Sequence, residues 1–332
     1  MMEGKGAVLV TGGAGYIGSH ACKALRREGF LPVTFDDLST GNPAAVRFGP
    51  LVEGALHDAR ALDRAFAEHR PIAVMHFAAS SQVGEAMARP GRYWRNNLGG
   101  SLELLEATVR AGVGALVFSS TCAVYGDRDG EVLDEGAPRL PLNAYGASKR
   151  ATEDMLRDFE AAHGLRHVIF RYFNVAGADP EGEVGEAHDP ETHLIPAMIE
   201  AVRGMRPALT IHGTDYATAD GTAVRDYVHV LDLCEAHVAG LERLLQGGTS
   251  RAYNLGSGTG YSVREVVEAA RAVTNREVPV VEGPRRAGDA VRLVSGSRLA
   301  ADELAWTPTR GLRAMIEDAW RWHTGPGFGP RA

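Results

Sequence analysis

An apolar run, Ala7–Val10, leads almost directly into Gly12-Gly13-Ala14-Gly15-Tyr16-Ile17-Gly18, and a helical pattern follows over Ile17–Arg27. No other stretch narrows the fold so far. A strand feeding a tight glycine turn into a helix leaves backbone N–H groups free at the helix start, where a pyrophosphate can approach them. A glycine pattern alone would mean little, and its place between strand and helix carries the reading. Gly12, Gly15, Tyr16, Ile17 and Gly18 are therefore candidate dinucleotide contacts. After the second apolar run, Val33–Phe35, come Asp36 and Asp37. A carboxylate there can accept hydrogen bonds from an adenosine ribose while repelling a 2′-phosphate, which favours NAD over NADP.

Further short apolar runs, Ile72–Phe77, Ala115–Phe118 and His167–Phe170, alternate with helical patterns over Ala59–His69, Trp94–Arg110 and Ala144–His163. Apolar positions three and four apart give each helix one inward face. This β-α-β-α order predicts an α/β fold: a Rossmann-type, doubly wound parallel sheet covered by helices on both sides. Segments 127–143 and 176–193, rich in Pro, Gly and charge, read as loops over the strand ends. Helices over Leu194–Val202, Val230–Leu245 and Ser262–Thr274, the last opening on a Ser262/Glu265 capping pair, and a strand at Ala252–Leu255 suggest a smaller, interleaved α/β lobe. The expected division is 1–175, with a returning segment at about 224–256, for the cofactor, and 176–223 with 257–332 for the substrate.

The 332 residues, 45% hydrophobic and 23% charged, suit a globular protein, and a net charge of -7 argues against a nucleic-acid partner. Cys22, Cys122 and Cys234 lack metal-type spacing, so neither a disulfide framework nor zinc is expected, and a reducing compartment suits them. Neither a signal h-region nor a membrane span is evident, and a soluble cytoplasmic protein is expected.

Tyr145-Gly146-Ala147-Ser148-Lys149 puts a phenol and an ammonium four residues apart, on one helix face. A nearby cation should pull the phenol below its usual pKa and make Tyr145 a base, with an oxidised nicotinamide adding positive charge. Just upstream, the hydroxyls of Ser119, Ser120 and Thr121 end a strand at the sheet's carboxyl edge, where ligands bind in open α/β sheets.

The glycine turn, His76-Phe77-Ala78-Ala79, the stretch Ser119–Gly126, Tyr145-x-x-x-Lys149, Arg171-Tyr172-Phe173-Asn174 and Val224-Arg225-Asp226-Tyr227-Val228-His229-Val230 together resemble the extended short-chain dehydrogenase/reductases. Within them, the chain is most similar to the branch that epimerises UDP-hexoses at C4, from about Ala7 to about Trp320. The resemblance implies NAD as cofactor and interconversion of UDP-galactose and UDP-glucose through a 4-keto sugar that turns over before hydride returns. It makes Tyr145 the base, Lys149 its electrostatic partner and ribose ligand, and Thr121 the hydroxyl beside the reacting oxygen. It adds Leu56, Phe77, Ala78, Ala79, Ser119, Asn96 and Tyr172 to the cofactor contacts, the last two on the nicotinamide side. Arg225 and Arg286 are implied for the diphosphate, with Asn174 and Asp289 near the diphosphate and uridine ribose; paired guanidinium donors suit that ligand. It also implies a homodimer built on Trp94–Arg110 and Ala144–His163.

Two positions depart from the family pattern. Ala55 stands where some members hold the adenine amino group with Asp, leaving backbone or Asp58 for that task. Leu293 aligns with the residue whose bulk decides whether an N-acetyl group fits, and its intermediate size leaves N-acetylhexosamines open as substrates, while pentoses stay open because they differ from hexoses by one hydroxymethyl group. His188-Asp189-Pro190-Glu191-Thr192-His193 lacks the spacing of a helical metal pair and reads instead as a loop bringing His193 and Leu194 to the sugar nucleotide. Cys122 has no positioned histidine to make it a nucleophile. A 4,6-dehydratase would carry Thr-Asp-Glu where this chain has Thr121-Cys122-Ala123, and a non-catalytic NAD sensor would not need Tyr145, Lys149 and Thr121.

Overall fold

The computed structural model describes residues 4–128, 131–286, 289–296 and 298–328. The apolar runs form a seven-stranded sheet in the order Arg251–Leu255, Arg166–Tyr172, Ala115–Thr121, Ala73–His76, Ala7–Thr11, Leu31–Asp36, Leu51–Glu53. The pairings from Ala115–Thr121 across to Leu51–Glu53 are parallel. Leu9, Val33, Val74, Leu116 and Phe118 on the strands are buried with Leu62, Leu104 and Leu156 from the covering helices. Each such side chain contributes about 1.5–3 kcal/mol by leaving water. The chain starts in the middle of the sheet and winds outward both ways, so Ala7–Thr11 and Ala73–His76 are neighbours whose connections leave in opposite directions. Ligands bind at the carboxyl end of such a switch point.

The chain forms two compact units, one from the described residues of Met1–Tyr125, Pro138–Arg171 and Cys234–Tyr253, the other from those of Gly126–Ala137, Tyr172–Leu233 and Asn254–Ala332. The boundaries differ from those expected. Val224–His229, expected to return to the first domain, pairs with Gly260–Ser262, Arg292–Ser295 and Asn174–Ala176 in the second unit. Part of the loop 127–143 also belongs there, because Val132–Leu133 adds a short strand beside Arg292–Ser295. The second unit's core joins Ile195 and Met198 to Val266, Met315 and Ile316, from helices Leu194–Val202, Val263–Thr274 and Leu312–Thr324. Ser262 and Glu265 form the expected capping box.

Trp94–Arg110 is not one regular helix. A wider π-type turn spans Trp94–Gly99 before the α-helix Gly100–Arg110 begins. Its cause is Asn97, whose side chain accepts from Ser80 N (2.8 Å) and donates to Ser80 O (2.9 Å) and Ser148 Oγ (3.2 Å). Such bulges seat one polar residue where a regular helix would turn it away. Among the described residues, no helix is long and apolar enough to cross a membrane.

Candidate active site

The glycine turn leaves the sheet at Thr11, beside His76 on the neighbouring strand. Gly12 has φ +73°, and a Cβ there would lie 2.6 Å from Ala78 N; one on Gly18 would lie 2.1 Å from Gly12 O. Only glycine lets strand end and helix start approach this closely. The helix Tyr16–Arg27 begins at Gly15 with neither a side-chain cap nor an acidic residue in its first turn. That leaves donors and the positive helix end for an anion, which fits a dinucleotide pyrophosphate. Gly15, Tyr16 and Ile17 are part-exposed there, while Gly18 is buried.

Asp36 is buried, and its two oxygens accept from Ala14 N (3.0 Å) and Leu38 N (2.9 Å). Burial raises its pKa above the usual carboxylate value. Each oxygen keeps a lone pair for a ribose hydroxyl, so Asp36 serves turn and ligand together. Asp37 is exposed and occupied by Ser39, whose N and Oγ donate to it at 2.9 and 2.6 Å. Asp58 caps the helix Ala59–His69 through Ala61 N (3.0 Å), so one oxygen of the adenine candidate is already engaged. Leu56 is buried in the first unit's core, and Phe77 N and Ala78 N both donate to Thr11 O at 2.9 and 3.1 Å. Ala79 is part-exposed beyond them. Asn96 donates to Ser80 Oγ at 3.3 Å.

The strand Ala115–Thr121 outlasts its apolar pattern by three residues, so Ser119, Ser120 and Thr121 belong to it. Helix Ala144–His163 starts hard against that strand end: a Cβ on Gly146 would sit 2.4 Å from Ala123 O. Asn143 caps it by accepting from Gly146 N at 2.9 Å. This close approach sets the Tyr145 phenol in a hydrogen bond with the Thr121 hydroxyl, which also accepts from Ala123 N at 3.1 Å. Lys149 is buried, donates to Ser119 O at 2.8 Å and lies 4.8 Å from the Phe118 ring centre.

The electrostatics correct one expectation. Burial pushes the Tyr145 phenol up to about 12, only partly offset by Thr121, and Lys149 is not among the groups that lower it. Burial likewise brings Lys149 down to about 7 against the opposing charge of Glu153. Desolvation outweighs pairing at both groups, so the phenol becomes a base only with more positive charge or a proton-accepting partner at hand.

Behind the pair lies a cluster that sequence reasoning missed. Glu153, 1% exposed, accepts from Ser120 Oγ (2.6 Å), Arg171 Nε (2.9 Å) and Nη2 (2.7 Å), and Arg139 Nη1 (2.9 Å). Arg171 Nη1 also donates to Tyr125 OH at 3.0 Å. A signal was there: Tyr145, Lys149 and Glu153 recur every four residues along one helix face.

In the second unit, Val224–His229 carries Arg225, Asp226 and Tyr227. Arg225 Nη2 meets Asp289 Oδ1 at 2.5 Å, and Leu293 lies in register beside Arg225. The Tyr227 phenol hydrogen-bonds the Asn174 side chain. Arg286 is exposed, three residues before Asp289, whose N donates to Arg286 O at 3.2 Å. The fold thus gathers Arg225, Asp289 and Leu293, and separately Asn174 with Tyr227. Asp226, quoted in the motif without a role, is a structural hub accepting from Ser257 N and Oγ, Gly258 N and Ser295 N. Tyr172 is buried at its strand end. His193 is half exposed at the start of Leu194–Val202, and Leu194 packs against the second unit's core.

A glycine turn at a switch point and a Tyr-x-x-x-Lys pair, its lysine buried, beside a strand-end hydroxyl define a dinucleotide-dependent enzyme of the short-chain dehydrogenase/reductase type. More particularly, the chain belongs to the NAD dependent epimerase/dehydratase family, whose match spans residues 8–256. It is 52% identical over 320 residues to the UDP-glucose 4-epimerase of Azospirillum brasilense, covering 95% of this chain and 91% of that one. With the UDP-glucose 4-epimerase of Rhizobium meliloti (strain 1021) it shares 48% over 317 residues, 96% and 97% of the two chains. The crystal structure of UDP-glucose 4-epimerase from Brucella ovis in complex with NAD superposes with a TM-score of 0.93 at 46% identity, over 98% of both chains.

Proposed function

We propose that the chain is an NAD-dependent 4-epimerase that interconverts UDP-galactose and UDP-glucose. The observation that carries this is the Tyr145–Thr121 hydrogen bond with buried Lys149 anchored on Ser119 O, at a strand end that continues as Cys122-Ala123 without a carboxylate. That set can move one proton at a sugar hydroxyl; it lacks the acid and base needed to eliminate water. The glycine turn, Asp36 and Lys149 would hold NAD, which when bound would supply reversible hydride acceptance at C4. Tyr145 takes the 4-hydroxyl proton through or beside Thr121, and holds it until the keto-sugar has turned and its oxygen takes it back. Protonated Lys149 and the oxidised nicotinamide together would add the positive charge that the phenolate needs.

Because the sugar turns while the nucleotide stays, affinity rests on the UDP moiety, for which Arg225, Arg286, Asn174, Asp289, His193 and Leu194 are the proposed ligands and Leu293 the wall against the hexose. The first unit is the cofactor domain and the second the UDP-sugar domain. Two chains associate through Trp94–Arg110 and Ala144–His163, a reading supported by the exposed apolar side chains of Trp94 and Leu102. Three free, buried cysteines suit the cytoplasm.

The test is incubation of purified protein with UDP-galactose, without added NAD, and chromatographic separation of UDP-glucose, with UDP-xylose and UDP-N-acetylgalactosamine in parallel. Formation of UDP-glucose establishes the reaction and shows that cofactor co-purifies. No turnover of any of the three after NAD is restored sinks the assignment.

A further inference from the structure

The spacing of His188-Asp189-Pro190-Glu191-Thr192-His193 argued against a metal, yet the fold gathers its two histidines and Glu191 with Glu186, which that reading left out. One ligand atom from each of these side chains lies within 4.8 Å of all the others. Glu186 Oε1 is 2.9 Å from His188 Nδ1 and 2.7 Å from His193 Nδ1. Glu191 Oε1 is 3.3 Å from His193 Nδ1, and Glu191 Oε2 is 4.0 Å from His188 Nδ1. A tetrahedral ion with ligands at ~2.0–2.1 Å holds them about 3.4 Å from one another, and these four Glu–His separations scatter around that length.

Charge points the same way. The side chains of Glu186 and Glu191 are 5% and 3% exposed, and among the described residues the cationic groups within 4 Å of their carboxylates are the two imidazoles. With neutral imidazoles, two negative charges stand out of water, and a single imidazolium cancels only one of them. A divalent cation cancels both and uses the imidazoles in the neutral form in which they ligate. The backbone around the cluster is pinned from outside: Thr192 N and His193 N donate to Glu191 Oε1 (2.7 and 2.8 Å), Arg206 Nη2 to Glu191 O (2.8 Å), and Trp322 Nε1 to Glu186 O (2.8 Å). Such outer hydrogen bonds hold ligands in place. The part-exposed rings of His188 and His193 leave an entry path.

We propose that Glu186, His188, Glu191 and His193 form a structural site for a divalent transition ion of the Zn(II) class. Two imidazole nitrogens and two carboxylate oxygens suit zinc better than magnesium or calcium, which prefer all-oxygen shells of six or more. Four protein ligands leave no open position, so the ion ties the 186–193 loop to the start of helix Leu194–Val202 rather than taking part in chemistry. Coordination uses Nδ1 of His193 and leaves Nε2 free for the nucleotide.

The test uses untagged protein dialysed against chelator, then titrated calorimetrically with Zn(II), with metal content read by mass spectrometry and Co(II) as an optical probe. Expected are about one equivalent per chain, a rise in melting temperature on zinc addition, and the intense visible absorption of four-coordinate Co(II). His188→Ala, at the more exposed rim, should weaken binding by roughly 100-fold or more, and His193→Ala likewise. The proposal falls if the wild type takes up less than about a tenth of an equivalent, which leaves only an ion-pair cluster. It also falls if both variants keep wild-type stoichiometry and affinity, because the ion would then sit elsewhere.

Discussion

Glu153→Gln tests how the catalytic helix is held. The carboxylate meets one hydroxyl and two guanidinium groups. Glutamine keeps the shape but removes the charge and turns one acceptor into a donor aimed at arginine. Arg171 carries most of the effect, since its side chain is 7% exposed, while that of Arg139, at 20%, recovers some solvation. Breaking a buried pair from one side costs about 3–5 kcal/mol. For a unit of this size that lowers the melting temperature by roughly 6–20 °C, measured by circular dichroism with NAD fixed at one concentration. Asp154→Asn is the control: it faces Arg139 at 2.7 Å but is 39% exposed, and should cost under about 1 kcal/mol. A second signature lies in the pH profile. Glu153 raises the proton affinity of Lys149, which burial has brought to about 7. Protonated Lys149 is fully present below that pKa and disappears as pH rises through it, so losing Glu153 shifts the alkaline limb of activity to lower pH. A melting temperature within about 2 °C of wild type, or an alkaline limb moving upward, would refute the reasoning.

Tyr145→Phe removes the proton acceptor and one hydrogen bond. Turnover should drop about 10²–10⁴-fold, with melting temperature and bound NAD nearly unchanged; turnover within tenfold of wild type would remove Tyr145 from its role. Gly18→Ala forces a methyl onto Gly12 O, and NAD affinity measured by equilibrium dialysis should fall at least roughly tenfold. Retained affinity would mean that the turn does not hold the pyrophosphate. Asp36→Ala frees Ala14 N and Leu38 N and removes the proposed ribose acceptor. NAD binding should weaken by about 10- to 100-fold while preference over NADP narrows, and unchanged selectivity would count against the ribose role.

What could be read in advance followed from local periodicity. Apolar runs and helical stripes located the central sheet, and the glycine turn and Tyr145-x-x-x-Lys149 marked its ligand edge, because each needs only near neighbours in sequence. Glu153 and Arg171 escaped notice as partners because a buried ion pair is defined by residues 18 apart that meet only after folding. The turn at Trp94–Gly99 escaped for the same reason, since the partner of Asn97, the Ser80 backbone, lies on another element. The rise in the phenol's proton affinity from burial was not legible, because the pattern shows a cation four residues away but not how dry the site is. Unit boundaries misled because strands as short as Val132–Leu133 and Arg292–Ser295 carry too little pattern to announce which sheet they join.

The residue after the proposed base is set by room rather than reactivity. Gly146 lies on the carbonyl of Ala123, a main-chain atom that stays put whatever side chain occupies that position. The side chains at 122 and 123 can thus change without moving this contact, while the backbone dictates what may stand opposite. New chemistry at this edge would arise by exchanging groups on the strand, with the helix kept at the same distance. The glycine is the spacer that makes such exchanges interchangeable.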